Sequence, residues 1–463
     1  MKTASRLLLL FIGWVITQPV TSQSAVIKGK IPEGSGLIVQ LIAESNPFTR
    51  HLEVLATDTC DAGGGFILSV DTNIVFQAGV DVWFQTDWFW ITPGDTLKVQ
   101  AIQPVQPGFT GNRGSAGFTL TDITKTSTSF KITKFDMEVA SFLDSNFNDI
   151  LRKRDIRIAR NFIHRQQKLI NQSDDRFLAD YMQYTLMGLA INTMVRTPTA
   201  VAEELFKRKP DYQHPAYLEL LSQLFKDYHL KTPGIYPEQL INAATEKEYT
   251  RFLHLLGSDT LLKNDLYREL AAIQIITDIV YAMPPEKRLA SISLLDSLAL
   301  HSRFAEHRVL ASKVGNQLRE LLPGTLAPPL LTGSQPFTDT LNSMPLLIVF
   351  THTQCASCLE AADWLAAFKS RENWQCNVIT IFLDYDQQEA RSILALKSWP
   401  WKSVWGGNDF AMMHRWQISS LPLFAIIGSD GKIIQYPTMI PGPESEKYLL
   451  KLTKSKQPVR RRP

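Results

Sequence analysis

The sequence predicts a multi-domain α+β protein with an N-terminal antiparallel β-sandwich, a central all-α helical domain and a C-terminal α/β domain. The chain has 463 residues, and domains of roughly 150 residues make about three of them. Short β-prone runs change near Phe135 to long helical patterns, and strand and helix patterns alternate after a linker at 323–329. The composition, 44% hydrophobic and 20% charged, is that of a globular protein and excludes disordered or collagen-like chains.

Residues 1–22 are expected to be a secretory signal peptide. Lys2 and Arg6 form a basic start, the stretch from Leu7 to Ile16 is apolar, and polar residues follow. This stretch is shorter than the about 20 residues that a membrane-spanning helix needs, and no later run is long and uncharged enough. We therefore expect an exported protein that has no transmembrane segment after signal cleavage.

The charge pattern gives no sign of a nucleic-acid partner. The formal net charge is +3, but seven basic residues and no acid lie between Lys447 and the C-terminus, so the rest of the expected mature chain is net acidic. We interpret residues 457–463 as a solvated basic tail. A second basic run, from Arg152 to Lys168, has no series of interleaved aromatic residues and no recognisable binding module, and is interpreted as a solvated helix face.

The β-sandwich is expected at 24–134, with turns at the glycines 63–65 and at Pro93-Gly94-Asp95. Its β-prone runs are Val26–Ile31, Leu37–Ile42, Gly65–Val70, Val80–Trp90, Leu97–Ile102 and Ser127–Thr133. Five aromatic residues cluster in one run, namely Trp83, Phe84, Trp88, Phe89 and Trp90. Such a cluster can bind carbohydrate or peptide, but alternating aromatics in strands more often fill a core, which we favour here.

The helical domain is expected at 136–322. Apolar residues recur there at spacings of three and four, which predicts six to eight helices punctuated by prolines. The pair Pro284-Pro285 stands where a helix can begin, with Glu286 in its first turn.

The sharpest chemical signal is Cys355-Ala-Ser-Cys358. Residues 345–350 are continuously apolar, as in a central parallel strand, and an amphipathic helix follows from Leu359. The cysteines thus stand at a helix N-terminus, where backbone N–H groups and the helix dipole favour a thiolate. The later elements are a strand Asn377–Leu383, a helix Gln387–Leu396, strands Leu423–Ile427 and Lys432–Gln435, and a helix from about Glu444, in the order β-α-β-α-β-β-α.

These residues give the segment at 326–456 a resemblance to a thioredoxin fold of the exported TlpA-like kind. The resemblance is carried by the strand and Cys355-Ala-Ser-Cys358 helix start, by Ser420-Leu421-Pro422-Leu423-Phe424, and by the Asp430-Gly431-Lys432 hairpin. The Pro93-Gly94-Asp95 turn is similar to that of a small β domain fused ahead of envelope thioredoxins. The resemblance implies the periplasm or cell envelope of a Gram-negative bacterium.

The resemblance also implies a thiol-disulfide oxidoreductase that acts on protein disulfides or dithiols. Cys355 is then the attacking thiolate and Cys358 the resolving one. Pro422 is expected to be cis and beside the dithiol, and the backbone of Leu421 to pair with an extended substrate segment. The expected partners are protein substrates and an envelope redox protein that recycles the dithiol, and no cofactor or metal is expected.

Three residues are candidates for proton transfer at the dithiol: His352, Glu360 and Asp384. The surface is the more common place for such residues, and we expect them there. Ala-Ser between the cysteines adds no positive charge, so the thiolate should be less stabilised than in a strongly oxidising site with an intervening His. Gln354 stands where thioredoxins usually have Trp.

The sequence disfavours three other uses of the cysteine pair. A zinc site is disfavoured because the sequence has no second such pair and no His cluster at ligand spacing. A purely structural bridge would restrain little of the unfolded chain, since its loop is so short. A thiol peroxidase is less favoured because His352 stands where that family expects Thr. The main rival is a catalytically weak binding or assembly module.

Cys60 and Cys376 are interpreted as small buried hydrophobes.

Overall fold

The computed structural model describes residues 23–105, 114–232, 234, 236–330, 344–372, 374–407, 409–418 and 420–454. The signal peptide expected at 1–22 and the basic tail expected at 457–463 therefore lie outside the described residues. Within these ranges, no helix has both the length and the apolar character that crossing a membrane requires.

The N-terminal region is a β-sandwich of two four-stranded sheets. Its strands are β1 (Gln23–Lys30), β2 (Ile38–Glu44), β3 (Leu52–Thr59), β4 (Gly65–Thr72), β5 (Phe76–Val82), β6 (Gln85–Ile91), β7 (Thr96–Ala101) and β8 (Phe118–Asp122). The sheets have the orders β4-β1-β7-β8 and β3-β2-β5-β6. Every pair is antiparallel except β1 with β7, which run parallel. Residues such as Ile27 and Leu97 of one sheet and Leu41 and Val80 of the other share a core.

The run expected as one strand from Val80 to Trp90 is two strands joined by a tight hairpin. Val82 pairs with Gln85, and the turn between them is Trp83-Phe84. Both turn residues have positive φ, +48° and +67°, which is the backbone of a two-residue turn that matches the twist of the strands. The sequence lacks the usual Asn or Gly there, so no turn signal was present.

The middle region is helical. Its helices are α1 (Thr128–Phe147), α2 (Ile156–Ile170), α3 (Arg176–Asn192), α4 (Pro198–Leu205), α5 (Pro215–Phe225), α6 (Tyr228–Lys231), α7 (Pro237–Thr245), α8 (Tyr249–Leu256), α9 (Asp265–Ala282), α10 (Pro285–His301) and α11 (Ala305–Arg319). The prediction of a strand at Ser127–Thr133 is wrong, because this segment begins helix α1. The Ser127 side chain accepts a hydrogen bond from the backbone N–H of Phe130, at 3.2 Å, and caps the helix. N-capping outweighs the β preference of the Thr and Ile residues there.

The C-terminal region is a five-stranded sheet with helices. Its elements are β9 (Leu346–Thr351), α12 (Ala356–Glu372), β10 (Asn377–Phe382), α13 (Gln387–Leu396), β11 (Lys402–Trp405), α14 (Phe410–Arg415), β12 (Leu423–Ile427), β13 (Ile433–Gln435) and α15 (Glu446–Lys454). The strand order is β11-β10-β9-β12-β13, in which β9, β10 and β11 are parallel and the other two pairs are antiparallel. Strand β11 and helix α14 are absent from the order that the sequence predicts, because with four and six residues they are too short to show an apolar period.

The segment expected as a linker is bonded to the sheet. The backbone of Gly324 donates to the carbonyl of Ile433 at 2.7 Å, and Ile433 donates to Thr325 at 2.8 Å. The indole of Trp416 donates to the carbonyl of Pro329 at 3.1 Å. This segment therefore runs along the edge strand β13 and is not an unattached linker between two regions.

The β region packs against both other regions. Asn46 and Thr49, in the β2–β3 turn, each hydrogen-bond the side chain of Gln317 on α11 at 2.7 Å. On the C-terminal side, Trp83 and Phe84 join a core made by one face of the five-stranded sheet, with residues such as Phe350 and Ile381. The aromatic pair thus fills a core, as expected, but the core belongs to the C-terminal region.

Candidate functional site

The cysteine pair lies in the turn that leads from β9 into α12. Strand β9 is fully buried, and its last residue, Thr351, is followed by a short loop. In that loop the backbone N–H of Cys355 donates to the carbonyl of His352 at 3.0 Å, and the N–H groups of Cys358 and Leu359 donate to the carbonyl of Cys355. The first turn of α12 therefore begins directly on Cys355, as the sequence predicts.

Cys355 and Cys358 form a disulfide, with their Cα atoms 5.2 Å apart. Cys355 is half-buried, whereas Cys358 has no exposed surface. The backbone N–H of Cys358 points at the sulfur of Cys355 at 3.3 Å, and the hydroxyl oxygen of Ser357 lies 3.6 Å from the same sulfur. Donors of this kind favour a thiolate on Cys355 once the bond is reduced, since they stabilise the negative charge at a helix N-terminus.

Asp384 anchors the loop from the neighbouring strand. It follows β10, is fully buried, and accepts the backbone N–H of Thr353 at 3.0 Å together with the Thr353 hydroxyl. The carboxylate thus replaces the water that it lost on burial with charge-assisted hydrogen bonds. The expectation of a surface position is wrong for Asp384, because it sits where two buried parallel strands end side by side.

His352 is also buried, again against the expectation of a surface position. The backbone N–H of Gln354 donates to its Nδ1 at 3.1 Å, and the same Nδ1 lies 3.5 Å from a carboxylate oxygen of Asp384. Burial lowers the pKa of His352, although the charges of Asp384 and Glu389 act in the opposite direction. A neutral ring that accepts from the loop therefore fits this position.

Two residues at and just after the end of β11 support Asp384. The indole of Trp405, at the end of β11, donates to the Asp384 carbonyl at 2.7 Å. Gly407 packs so closely on the same backbone that a Cβ there would lie 1.7 Å from the Asp384 carbonyl oxygen. Only a glycine fits this approach. The sequence does not single out Gly407 or Thr353 for the site, and the place of Thr353 two residues before Cys355 is the one signal that could have pointed to it.

Leu421 and Pro422 come to the same edge of the sheet as the dithiol. Strand β12 runs antiparallel to β9 with Leu423 opposite Phe350, so Pro422 lies level with the last residue of β9 and Leu421 lies beyond it. The peptide bond between Leu421 and Pro422 is cis, and both side chains are half-buried. The structure therefore brings together four of the elements named for the site: the cysteines, His352, Asp384 and the Pro422 segment.

The remaining candidates lie elsewhere. Glu360 is exposed on α12. Cys60 and Cys376 are buried free thiols, as expected for small hydrophobes, and burial raises the pKa of Cys60 to about 11 and that of Cys376 to about 12. Among the described residues, no group of three or more His, Cys, Asp or Glu is arranged to hold a metal ion.

Residues 343–433 match the family model described as thioredoxin-like. Three solved structures are similar to part of this chain. A thioredoxin domain of a thiol-disulfide oxidoreductase from Bacteroides vulgatus is 15% identical over 28% of this chain and 97% of its own, with a TM-score of 0.25. A thioredoxin-like protein from Bacteroides caccae is 15% identical over 50% of this chain and 92% of its own, with a TM-score of 0.30. A secreted disulfide oxidoreductase from Mycobacterium tuberculosis is 17% identical over 25% and 84%, with a TM-score of 0.21.

No curated protein matches the chain at a significant level. The C-terminal region is a thioredoxin-like domain, and the whole chain is a mixed α+β protein as the sequence predicts. The family match covers 91 of the 463 residues, so the roles of the β and helical regions are matters for proposal.

Proposed function

We propose that this protein is a thiol-disulfide oxidoreductase that acts on protein disulfides or dithiols in the cell envelope. The observation that carries the proposal is the asymmetry of the pair at the start of α12. Cys355 is half-buried and its sulfur receives a backbone N–H, whereas Cys358 is fully buried. An external disulfide can therefore be attacked by one sulfur only, and the other is placed to resolve the product.

The reaction proceeds in two exchanges. The Cys355 thiolate attacks one sulfur of a substrate disulfide, a bond forms between these two sulfurs, and the other substrate sulfur leaves as a thiolate. The Cys358 thiolate then attacks the Cys355 sulfur, the internal disulfide forms, and the first substrate sulfur leaves in turn. Two electrons pass from the dithiol to the substrate, and the reverse sequence oxidises a substrate dithiol.

Cys358 must lose its proton before it attacks. We propose His352 and Asp384 for this transfer, because both are buried at the loop that carries the dithiol, and Glu360 as an exposed alternative on α12. We also propose that the Leu421 backbone pairs with an extended substrate segment while the Pro422 ring lies beside the dithiol. An envelope redox protein then restores the resting state of the pair.

The envelope location is supported by the basic and apolar pattern of residues 1–22. We further propose that the N-terminal sandwich is the kind of β domain that precedes envelope thioredoxins, since its Pro93-Gly94-Asp95 turn leads into β7 as the resemblance implies. Fractionation of producing cells tests the location: recovery of the uncleaved chain in the cytoplasm would contradict it.

The experiment that tests the function is the trapping of mixed disulfides. A Cys358→Ser variant retains the attacking sulfur and lacks the resolving one, so it should accumulate disulfide-linked protein partners that a reductant releases. The matched control is Cys355→Ser, in which the remaining sulfur is buried and should trap none. Partner capture that persists with both cysteines replaced would instead support a binding or assembly module. Rapid consumption of peroxide without reduction of insulin would support a thiol peroxidase.

A further inference from the structure

The tip of the β5–β6 hairpin is an unusual piece of backbone. Trp83 and Phe84 both have positive φ, a conformation that costs L-residues with bulky side chains roughly 1–2 kcal/mol each. Two large aromatic residues persist in such a turn only where the surrounding contacts hold them, and such positions concentrate at functional sites. The contacts of these two rings therefore bear on function.

Both rings are buried in the thioredoxin-like domain. Trp83 has no exposed surface, its ring centre lies 5.4 Å from that of His352, and its indole N–H donates to the carbonyl of Gly407 at 2.9 Å. Phe84 packs edge-to-face on Trp83 at 5.4 Å and belongs to the same buried core as Phe410. The N-terminal region thus places a side chain directly on a residue of the dithiol loop.

From Trp83, two short routes lead to the loop that carries Cys355. The first is His352, whose Nδ1 accepts the backbone N–H of Gln354. The second is Gly407, which packs on the backbone of Asp384, and the carboxylate of Asp384 accepts the backbone and hydroxyl hydrogens of Thr353. His352 therefore contacts Trp83 directly, and Asp384 is connected to Trp83 through Gly407.

We propose that Trp83 is a positioning residue of the dithiol site, supplied by the N-terminal β region, which holds His352 dry and fixes the loop that presents Cys355. The inference rests on the proposed function in so far as the dithiol is redox-active. It assigns the β region a part in setting the dithiol's properties, in addition to any role in binding partners.

The expected consequence concerns the charge of His352. Removal of the indole admits water to the ring, and the pKa of His352 then rises towards the ordinary value of about 6.5. The charged groups that act on the ring, Asp384 after β10 and Glu389 on α13, both favour the imidazolium. A positive charge at the base of the loop stabilises the Cys355 thiolate and hence the reduced form, so the dithiol becomes more oxidising as the pH falls.

The test is the equilibrium of the full-length protein with glutathione redox buffers at pH 5.5 and pH 8. For Trp83→Ala we expect the equilibrium constant to shift towards the reduced form by about fivefold or more relative to wild type at pH 5.5, which is about 20 mV for a two-electron couple, and by less at pH 8. The matched control is Trp88→Ala, which removes a 38% exposed indole from the same hairpin and should leave both values unchanged.

A double variant separates positioning from mere loosening of the fold. Adding His352→Gln to Trp83→Ala should abolish the pH-dependent part of the shift. A shift that is equal at both pH values and survives His352→Gln would overturn the proposal, as would no shift at all. If Trp83→Ala does not fold, Trp83→Phe replaces it: it keeps a smaller ring and removes the donor to Gly407, and we expect a pH-dependent shift of about twofold or more. An unchanged equilibrium in this variant would also overturn the proposal.

A spectroscopic readout keeps this inference distinct from the proposed function. Histidine ring signals followed by NMR across pH 5 to 8 should show His352, assigned from His352→Gln, titrating at higher pH in Trp83→Ala than in wild type. If the titration moves as expected but Cys358→Ser traps no partner, the proposed function fails and the positioning role stands. If partners are trapped but the titration does not move, the positioning role fails alone.

Discussion

At the scale of single residues, the dithiol depends on side chains that are distant in sequence. Asp384 lies 29 positions after Cys355, yet its carboxylate holds the backbone of Thr353 at 3.0 Å. A buried carboxylate that accepts backbone hydrogen bonds is stabilising only while those bonds are made, because an unpaired buried charge is costly. The loop and the carboxylate therefore hold each other in place.

Replacing Asp384 by Asn should destabilise the oxidised protein. The amide can accept at one atom only and carries no charge, so at least one charge-assisted hydrogen bond to Thr353 is lost, at a cost of about 1–3 kcal/mol. The measurement is the thermal unfolding midpoint of Asp384→Asn. Glu360→Gln, which changes an exposed carboxylate on α12, is the control and should keep the wild-type midpoint. Equal midpoints for the two variants would show that the Asp384 contacts contribute nothing.

The site residues differ in how readily the sequence reveals them. Cys355 and Cys358 are found from local patterns, because they stand between a strand and a helix whose apolar spacing is plain, whereas Pro422 is found only through the family resemblance. The sequence shows that Asp384 stands at the end of a strand, but it does not show that Asp384 is buried. Trp83 and Gly407 belong to the site only through tertiary packing, and no pattern within a short window contains that information.

At the scale of single elements, helix α5 begins beside a buried histidine. His214 precedes α5, stacks on the Phe177 ring at 4.2 Å, and lies with its Nε2 3.3 Å from the Phe177 carbonyl. Among the described residues its Nδ1 has no hydrogen-bond partner. Burial lowers the pKa of His214, so the folded protein holds the ring neutral where the unfolded chain would protonate it.

This gives a pH dependence of stability with a definite sign. The folded-state pKa of His214 is below the unfolded value of about 6.5. The contribution of His214 to the free energy of unfolding is therefore complete above about pH 6.5. It is lost as the pH falls below about 6.5, by up to about 1.4 kcal/mol per pH unit. His214→Gln should therefore lose less thermal stability than wild type between pH 7.5 and pH 5. The control is His254→Gln, at an exposed position on α8, which should keep the wild-type slope. A wild-type slope in His214→Gln would contradict the account.

Element types follow from the sequence where the apolar spacing is strong. The limits of α13, Gln387–Leu396, and of β12, Leu423–Ile427, are those expected. The failures have physical causes. At Ser127 a capping hydrogen bond outweighs the β preference of the residues that follow. At Trp83-Phe84 contacts with another region hold a turn that lacks turn residues, so an apparent single strand is a hairpin.

At the scale of the whole molecule, the β region contacts both other regions by polar and aromatic contacts. On the helical side, Gln317 of α11 donates to the Ser45 hydroxyl and accepts from Asn46 and Thr49, each at 2.7 Å. On the C-terminal side, the Trp83 turn lies in the core of the thioredoxin-like sheet. The three regions are therefore expected to unfold together.

Gln317→Ala tests the contact with the helical region. The variant loses three hydrogen bonds and leaves the buried Asn46 amide without one of its partners, which should cost about 1–3 kcal/mol. We expect calorimetry to show one transition for wild type and a lower midpoint for the variant. Gln172→Ala, an exposed glutamine after α2, is the control and should melt as wild type. A separate, unshifted transition for the β region would contradict a shared core.

The order of region types could be predicted from composition and periodicity, since each type has its own apolar spacing. The packing of the regions could not, because a core residue such as Trp83 has the same local pattern whichever sheet it contacts. For the same reason the segment at 323–329 has the composition of a linker, yet its backbone bonds to the edge of the sheet.

The central claim, that Cys355 and Cys358 exchange electrons with other thiols, is tested most directly by the midpoint potential of the pair. Alkylation and mass spectrometry of the full chain in glutathione buffers of graded potential report the reduced fraction. The account predicts one two-electron transition below the about −120 mV of the strongest envelope oxidants and above about −300 mV. A pair that stays oxidised below about −300 mV would be a structural bridge and would contradict the account.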